Sequence, residues 1–244
     1  MDGNQAPPLL ETRHLTKSFR GRKIVDDLNI RVMKGDVYGF LGRNGQGKTT
    51  TIRMMTGLIF PDSGDILVKG ISLRKDFKRA IAHIGAIVEM PAFHDYLTGY
   101  ENLALMANLA PGVTKSRIRE VLDIVGLGGR ARDKVKTYSL GMKQRLGIAN
   151  ALLHEPELII LDEPTNGLDP QGMKEIKELI LQLASEKDIT FFISSHLLHE
   201  MQQLCNRIGI IQNGRLLMEG DVRELTGAAG DISLEQLYFE LTRS

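Results

Sequence analysis

The chain has 244 residues, 42% hydrophobic and 25% charged, with Lys+Arg 31 against Asp+Glu 30 for a net charge of +1. At about 150 residues per domain this length predicts one to two domains. The apolar content excludes a disordered tail protein, and the near-neutral, interspersed charge argues against a dedicated nucleic-acid binder. Cys205 is the single cysteine, which excludes a disulfide framework and a cysteine-based zinc site.

Short strand-like runs alternate with amphipathic helical stretches, the pattern of an α/β chain. In chain order, Val37–Leu41 reads as a strand, Gly42 follows it, and Thr49–Thr56 reads as a helix stopped by Gly57. From about Pro91 to Lys136 the character becomes helical. Thr98 and Glu101 form a capping-box pattern before Leu103, Met106 and Leu109, with Pro111-Gly112 predicted to end that helix. Ile118, Val121, Leu122 and Val125 carry a second helical stripe closed by Gly126. Strand signals resume at Leu158–Leu161 and Ile189–Ile193, and Asp169-Pro170 opens the helix between them. Ile208–Ile211, Asn213-Gly214 and Leu216–Met218 read as a hairpin with a two-residue turn, and Ser233 with Gln236 caps a last short helix. No apolar run approaches the roughly 18 residues that cross a bilayer. The first fourteen residues lack a basic start and an apolar stretch, so a soluble, cytosolic chain without a secretory leader is expected.

Gly42-Arg43-Asn44-Gly45-Gln46-Gly47-Lys48-Thr49 satisfies G-x-x-x-x-G-K-[ST] in the required strand-then-helix context. Glycines let successive backbone N–H groups curl around phosphate, and the following helix N-terminus adds positive potential. Lys48 then reaches the outer phosphates and the Thr49 hydroxyl ligates Mg²⁺. Leu158-Ile159-Ile160-Leu161-Asp162-Glu163 is an apolar strand ending in two carboxylates, at the strand end where open α/β sheets bind ligands. Asp162 suits the Mg²⁺ bound by Thr49, through water, and Glu163 suits orienting the attacking water. Alone, this segment also reads as a capped strand end with solvated carboxylates; beside the phosphate loop the catalytic reading is favoured.

With these motifs the sequence resembles the ATP-binding-cassette (ABC) ATPases along essentially its whole length. Tyr138-Ser139-Leu140-Gly141-Met142 resembles the signature usually written LSGGQ, Asn166-Gly167-Leu168-Asp169 the D-loop, and Ser194-Ser195-His196 the switch-histidine loop. The resemblance implies a P-loop ATPase core: a parallel sheet with helices, an N-terminal antiparallel β part and an inserted helical subdomain. The implied boundaries are 1–90 and 137–226 for the core, 91–136 for the helical subdomain and 227–244 for a C-terminal helical extension. It also implies ATP and Mg²⁺ as ligands. Phe19 is then the aromatic on adenine; Val25, Gly42, Asn44, Gly45, Gly47, Lys48, Thr49 and Thr50 contact the nucleotide. Thr49, Glu89 and Asp162 serve the metal, and Glu163, His196 and Lys48 serve catalysis. Ser139, Gly141 and Asp169 also bind the nucleotide, Ser139 and Gly141 across the interface of an ATP-driven pair of subunits, most simply a homodimer. The other histidines (His14, His83, His94, His154, His199) show no ligand-like constellation and read as structural.

Two departures refine the subtype. Glu89 stands where the family usually has Gln, and Glu89-Met90-Pro91-Ala92-Phe93 followed by Leu97-Thr98-Gly99-Tyr100-Glu101-Asn102-Leu103 is similar to the ATPases of bacitracin-resistance and lantibiotic self-immunity exporters. Leu140 and Met142 replace Gly and Gln in the signature. The resemblance therefore implies the ATPase subunit of an exporter, attached peripherally to the inner face of the cell membrane. Its transmembrane part would lie on a separate permease, with Pro91, Ala92, Phe93, Tyr96 and Leu97 helping to receive a helix of that permease. No nucleic-acid partner is expected. A non-transport ABC ATPase of translation or DNA repair, and a P-loop kinase, are the competing classes; the first usually carries tandem cassettes, and the second needs no signature.

Overall fold

The computed structural model describes residues 6–228 and 232–242, so the expected C-terminal extension is only partly covered. The strands are β1 (Leu10–Phe19), β2 (Arg22–Val32), β3 (Val37–Leu41), β4 (Ser63–Val68), β5 (Ile71–Ser72), β6 (Ile84–Ile87), β7 (Leu158–Asp162), β8 (Thr190–Ser195), β9 (Arg207–Gln212) and β10 (Arg215–Asp221). The helices are α1 (Lys48–Met55), α2 (Phe77–Ile81), α3 (Gly99–Ala107), α4 (Lys115–Ile124), α5 (Leu140–Leu152), α6 (Pro170–Lys187), α7 (Leu198–Leu204), α8 (Val222–Ala228) and α9 (Leu234–Thr242). They fall into two compact units, one built from the chain up to Ile81 and from Thr190 on, the other from Ala82 to Ile189.

In the first unit β1 pairs antiparallel with both β2 and β4, and β4 with β5. Along β2, Val25, Leu28, Ile30 and Val32 are buried, a period of two that slips by one residue at Asp27, which has φ 54°. Such a bulge keeps the apolar face inward while the strand bends. β3 lies parallel to β8 and to β9, and β10 pairs antiparallel with β9. All five residues of β3 are buried, as a strand covered on both faces requires. The Tyr38 ring stacks on Phe192 at 5.3 Å and 8°. Its hydroxyl donates to Glu219 at 2.8 Å, and burial with that carboxylate pushes its pKa well above the usual phenol value. The predicted hairpin forms, with Arg215 opposite Gln212 across the two-residue turn Asn213-Gly214. Ser233 and Gln236 cap α9 as expected, the hydroxyl accepting from the Gln236 N–H at 3.2 Å and the Gln236 side chain from the Ser233 N–H at 2.8 Å.

In the second unit β6 runs parallel to β7 with Ile87 opposite Leu161. Helix α5 lies so close to β6 that a Cβ on Gly85 would stand 2.3 Å from the Ala151 carbonyl oxygen. The capping box of α3 is present: Thr98 Oγ1 accepts from the Glu101 N–H at 3.1 Å, and Glu101 accepts from the Thr98 N–H at 2.8 Å. That helix ends at Ala107, earlier than Pro111-Gly112 predicts. Its buried face is Gly99, Asn102, Leu103 and Ala107, whereas Met106 and Leu109 are exposed, Leu109 at 77%. The apolar spacing therefore mixes a core position with outward ones, because the buried stripe includes Asn102, which a hydrophobicity pattern skips. Asn102 is satisfied by local backbone: its amide donates to the His94 and Thr98 carbonyls and accepts from the His94 N–H, pinning the segment before α3. Ile118, Val121 and Leu122 of α4 are buried as predicted. Among the described residues no helix is long and apolar enough to cross a membrane.

Candidate functional site

The first unit holds the phosphate loop. Buried β3 delivers the chain to Gly42, and α1 begins at Lys48 directly after Gly47. Gly47 has φ 105°, and a Cβ there would lie 2.6 Å from the Ile24 carbonyl oxygen and 3.4 Å from the Val25 side chain. Only glycine satisfies both the backbone angle and the space. Val25 lies against Gly47 and is fully buried. The Gly47 carbonyl accepts from both the N–H and the hydroxyl of Thr51 at 2.9 Å, fixing the first turn of α1. Lys48 is buried, its Nζ donating to the Gly42 carbonyl at 2.7 Å and to that of Arg43 at 3.3 Å. The ammonium is thus held by carbonyls at the start of its own loop. Arg43, Asn44 and Gly45 are exposed, while Thr49 and Thr50 are half-buried.

β8 brings the switch loop to the same place. Leu41 pairs with Ser195, and the Gly42 N–H donates to the Ser195 carbonyl at 3.4 Å. Ser195 Oγ accepts from the Leu197 N–H at 2.9 Å, which turns the chain so that His196 is exposed. Phe19, at the end of β1, is 47% exposed and so available for stacking. Lys17 Nζ stands 5.5 Å from its ring centroid and is tied to Asp62 at 2.7 Å. The Lys17 and Asp62 contribution is absent from the motif reading, since neither belongs to a nucleotide motif.

The second unit holds the acidic strand ends and the signature. β7 is buried along its length, and Asp162 at its end is 4% exposed. Glu163 follows with φ 51° and is half-buried. Glu89 lies beyond β6 with φ 63° and is exposed. Ser139 is the N-cap of α5, its Oγ accepting from the Met142 N–H at 3.2 Å, and it is exposed. A serine hydroxyl that accepts one bond still has its hydrogen to donate. Leu140 is the first residue of that helix and lies against Gly167: a Cβ on Gly167 would be 3.5 Å from Leu140 Cδ2. Gly141 faces Gly172 of α6, with no atom closer than 3.9 Å to a Cβ built there. Asp169 caps α6 by accepting from the Gly172 N–H at 2.8 Å. The signature and the D-loop are therefore one packed arrangement. Lys143 of α5 also reaches Asp95 at 3.0 Å, joining the signature helix to the segment after Glu89. In that segment Tyr96 and Met90 are each 68% exposed.

Among the described residues no group of three or more His, Cys, Asp or Glu forms a metal cage. Hydroxyl and carboxylate oxygens are donor types that Mg²⁺ takes when phosphate and water complete its shell; Thr49 in the first unit and Asp162 in the second each supply one such type.

The chain matches the ABC transporter family over residues 25–166. It is 56% identical over 211 residues to the bacitracin transport ATP-binding protein BcrA of Bacillus licheniformis, covering 86% of this chain and 69% of that one. It is 41% identical over 230 residues to the lantibiotic transport ATP-binding protein SrtF of Streptococcus pyogenes, covering 94% and 96%. A solved structure described as the ATP binding subunit of an ABC transporter superposes with a TM-score of 0.83 at 31% identity, covering 96% of this chain and 99% of that one. The transport reading thus prevails over the translation, repair and kinase alternatives: the chain belongs to the ABC transporter family, as an ATP-binding subunit whose hydrolysis of ATP energises transport.

Proposed function

We propose that this chain binds Mg²⁺–ATP in composite sites formed by two copies of itself and drives export of antimicrobial peptides through a separately encoded permease. The observation that carries the composite site is the N-terminus of α5, where the capping Ser139 is exposed and Leu140 and Gly141 are half-buried. One chain has one phosphate loop and one signature, and an N-terminal helix edge with a free hydroxyl proton suits a γ-phosphate brought by another subunit. The bacitracin and lantibiotic relatives, together with Glu89, support the peptide-antibiotic substrate class.

In this reading Gly42, Asn44, Gly45, Gly47 and Thr50 cradle the phosphates, Lys48 neutralises them, and Phe19 stacks on adenine. Thr49 and Asp162, with Glu89, would hold Mg²⁺, which when bound would supply positive charge against the phosphates. Glu163 orients and polarises a water whose oxygen bonds to the γ-phosphorus as the bond to the β–γ bridging oxygen breaks, giving ADP and phosphate. Positioning and electrostatics supply the rate. His196 contacts the γ-phosphate and reports its presence, and Asp169 lines the subunit interface. The exposed apolar side chains of Met90, Tyr96, Leu105, Met106 and Leu109 are open to a permease helix, and such a partner would hold the subunit at the inner face of the membrane.

Light scattering of Glu163→Gln with and without ATP tests the composite site. Dimerisation that requires ATP supports it; a monomer at saturating ATP removes the homodimer.

A further inference from the structure

The phosphate loop is gripped from outside its own strand and helix. The Asn213 N–H donates to the Gln46 side-chain oxygen, and the Gly214 N–H donates to the Gln46 carbonyl at 3.2 Å. The same turn is anchored on its other side. The Gly214 carbonyl accepts from the Asp26 N–H at 2.9 Å, and Arg215 closes on Asp26 Oδ2 through Nε at 2.8 Å and Nη2 at 2.6 Å. Lys23 takes the other Asp26 oxygen at 2.7 Å. Asn213 and Gly214 both have positive φ, 50° and 79°. A Cβ on Gly214 would lie 2.5 Å from the Ile24 carbonyl oxygen, the atom that also crowds Gly47. The β9–β10 turn, the Ile24–Asp26 stretch of β2 and the phosphate loop therefore touch in sequence, with Gln46 as the joint.

We propose that the Asn213-Gly214 turn is a clamp that holds the phosphate loop in its nucleotide-receiving shape, with Gln46 as the positioning residue. A loop with glycines at 42, 45 and 47 has large conformational freedom, and ordering it at the moment of binding would subtract from affinity. Bonds formed beforehand remove that cost. The coupling is reciprocal, so ATP on the loop stabilises the turn by the amount the turn strengthens ATP binding. The inference rests on ATP binding at this loop.

The test compares Gln46→Ala, which deletes the acceptor, with Asn213→Gly, which keeps the donating backbone N–H and accepts the positive φ. Binding of a fluorescent ATP analogue, KM and kcat for ATP, nucleotide-free melting and amide exchange are measured in the full chain. Gln46→Ala should raise Kd and KM about five- to tenfold, the worth of roughly one hydrogen bond. Its kcat should stay within about twofold and its nucleotide-free melting should hold, whereas Asn213→Gly should behave as the parent. ATP should slow exchange at the 213 and 214 amides in the parent and much less in Gln46→Ala. Arg215→Met, which loosens the turn from outside the loop, should weaken binding in the same direction. Unchanged affinity in both Gln46→Ala and Arg215→Met overturns the clamp. So does a Gln46→Ala protein whose kcat and melting temperature fall together with its affinity, since that describes general damage. A parent protein that binds no ATP analogue would instead remove the nucleotide reading itself, and the clamp with it.

Discussion

Glu89 and Glu163 occupy matching places on neighbouring parallel strands. Each lies two residues beyond a paired position, Ile87 and Leu161, and each has left-handed backbone, φ 63° and 51°. A left-handed non-glycine residue costs on the order of 1 kcal/mol or more, and such residues concentrate at functional sites. Two carboxylates held this way at equal register mark the ends of β6 and β7 as places where side-chain direction outranks backbone ease.

Glu163→Gln should leave ATP binding intact and lower turnover by about a hundred- to ten-thousand-fold, the usual worth of a positioned base. Single-turnover phosphate release beside ATP binding checks it. Undiminished release would take Glu163 out of the water-orienting role.

For Glu89, the amide variant Glu89→Gln should keep ATP affinity and most basal hydrolysis while losing peptide resistance in cells. Glu89→Ala, which deletes the oxygen, should be worse. Glu89→Gly should match Glu89→Ala in function yet melt no lower than the parent, because glycine accepts φ 63° without the side-chain penalty. Normal resistance in both Glu89→Gln and Glu89→Ala would make Glu89 an ordinary surface residue.

Lys48→Ala removes a buried cation that bonds two loop carbonyls and, in the proposed site, the outer phosphates. Charge-assisted bonds of this kind are worth about 1.5–3 kcal/mol, so ATP should bind roughly ten- to a hundredfold more weakly. Isothermal titration would show it, and a nucleotide-free melting scan would report the share that belongs to the Gly42 and Arg43 carbonyls.

The Asp62 carboxyl is held below its ordinary value of 3.8, first by the Lys17 hydrogen bond and then by the Ser18 N–H. A lowered folded pKa contributes stability that is present above the ordinary value and lost as pH falls through the folded one. Asp62→Asn should therefore melt slightly lower than the parent at pH 7, with the difference shrinking as pH falls below the ordinary value of 3.8. The Asp62 side chain is 44% exposed, so added salt should shrink the gap at neutral pH as well. An equal gap above and below that ordinary value would assign the effect to packing.

Much of this protein is legible in its residues because its motifs are local. The phosphate loop, the Asp162-Glu163 strand end, the Ser139 and Asp169 caps and the Asn213-Gly214 turn each depend on neighbours within a few positions, where backbone geometry follows residue type. The outward turn of Met106 and Leu109 was not legible, since a buried Asn102 satisfied by backbone carries no hydrophobic signal. Nor was the role of Gln46, an unconstrained letter of its motif. Its partner lies 167 residues away, on a turn whose shape the sequence announces but whose target only folding selects. The same holds for Lys17 and Asp62, 45 apart, and for Arg215 and Asp26, 189 apart. A hydrogen bond or ion pair between distant residues leaves no periodicity in either segment, so tertiary structure alone decides it.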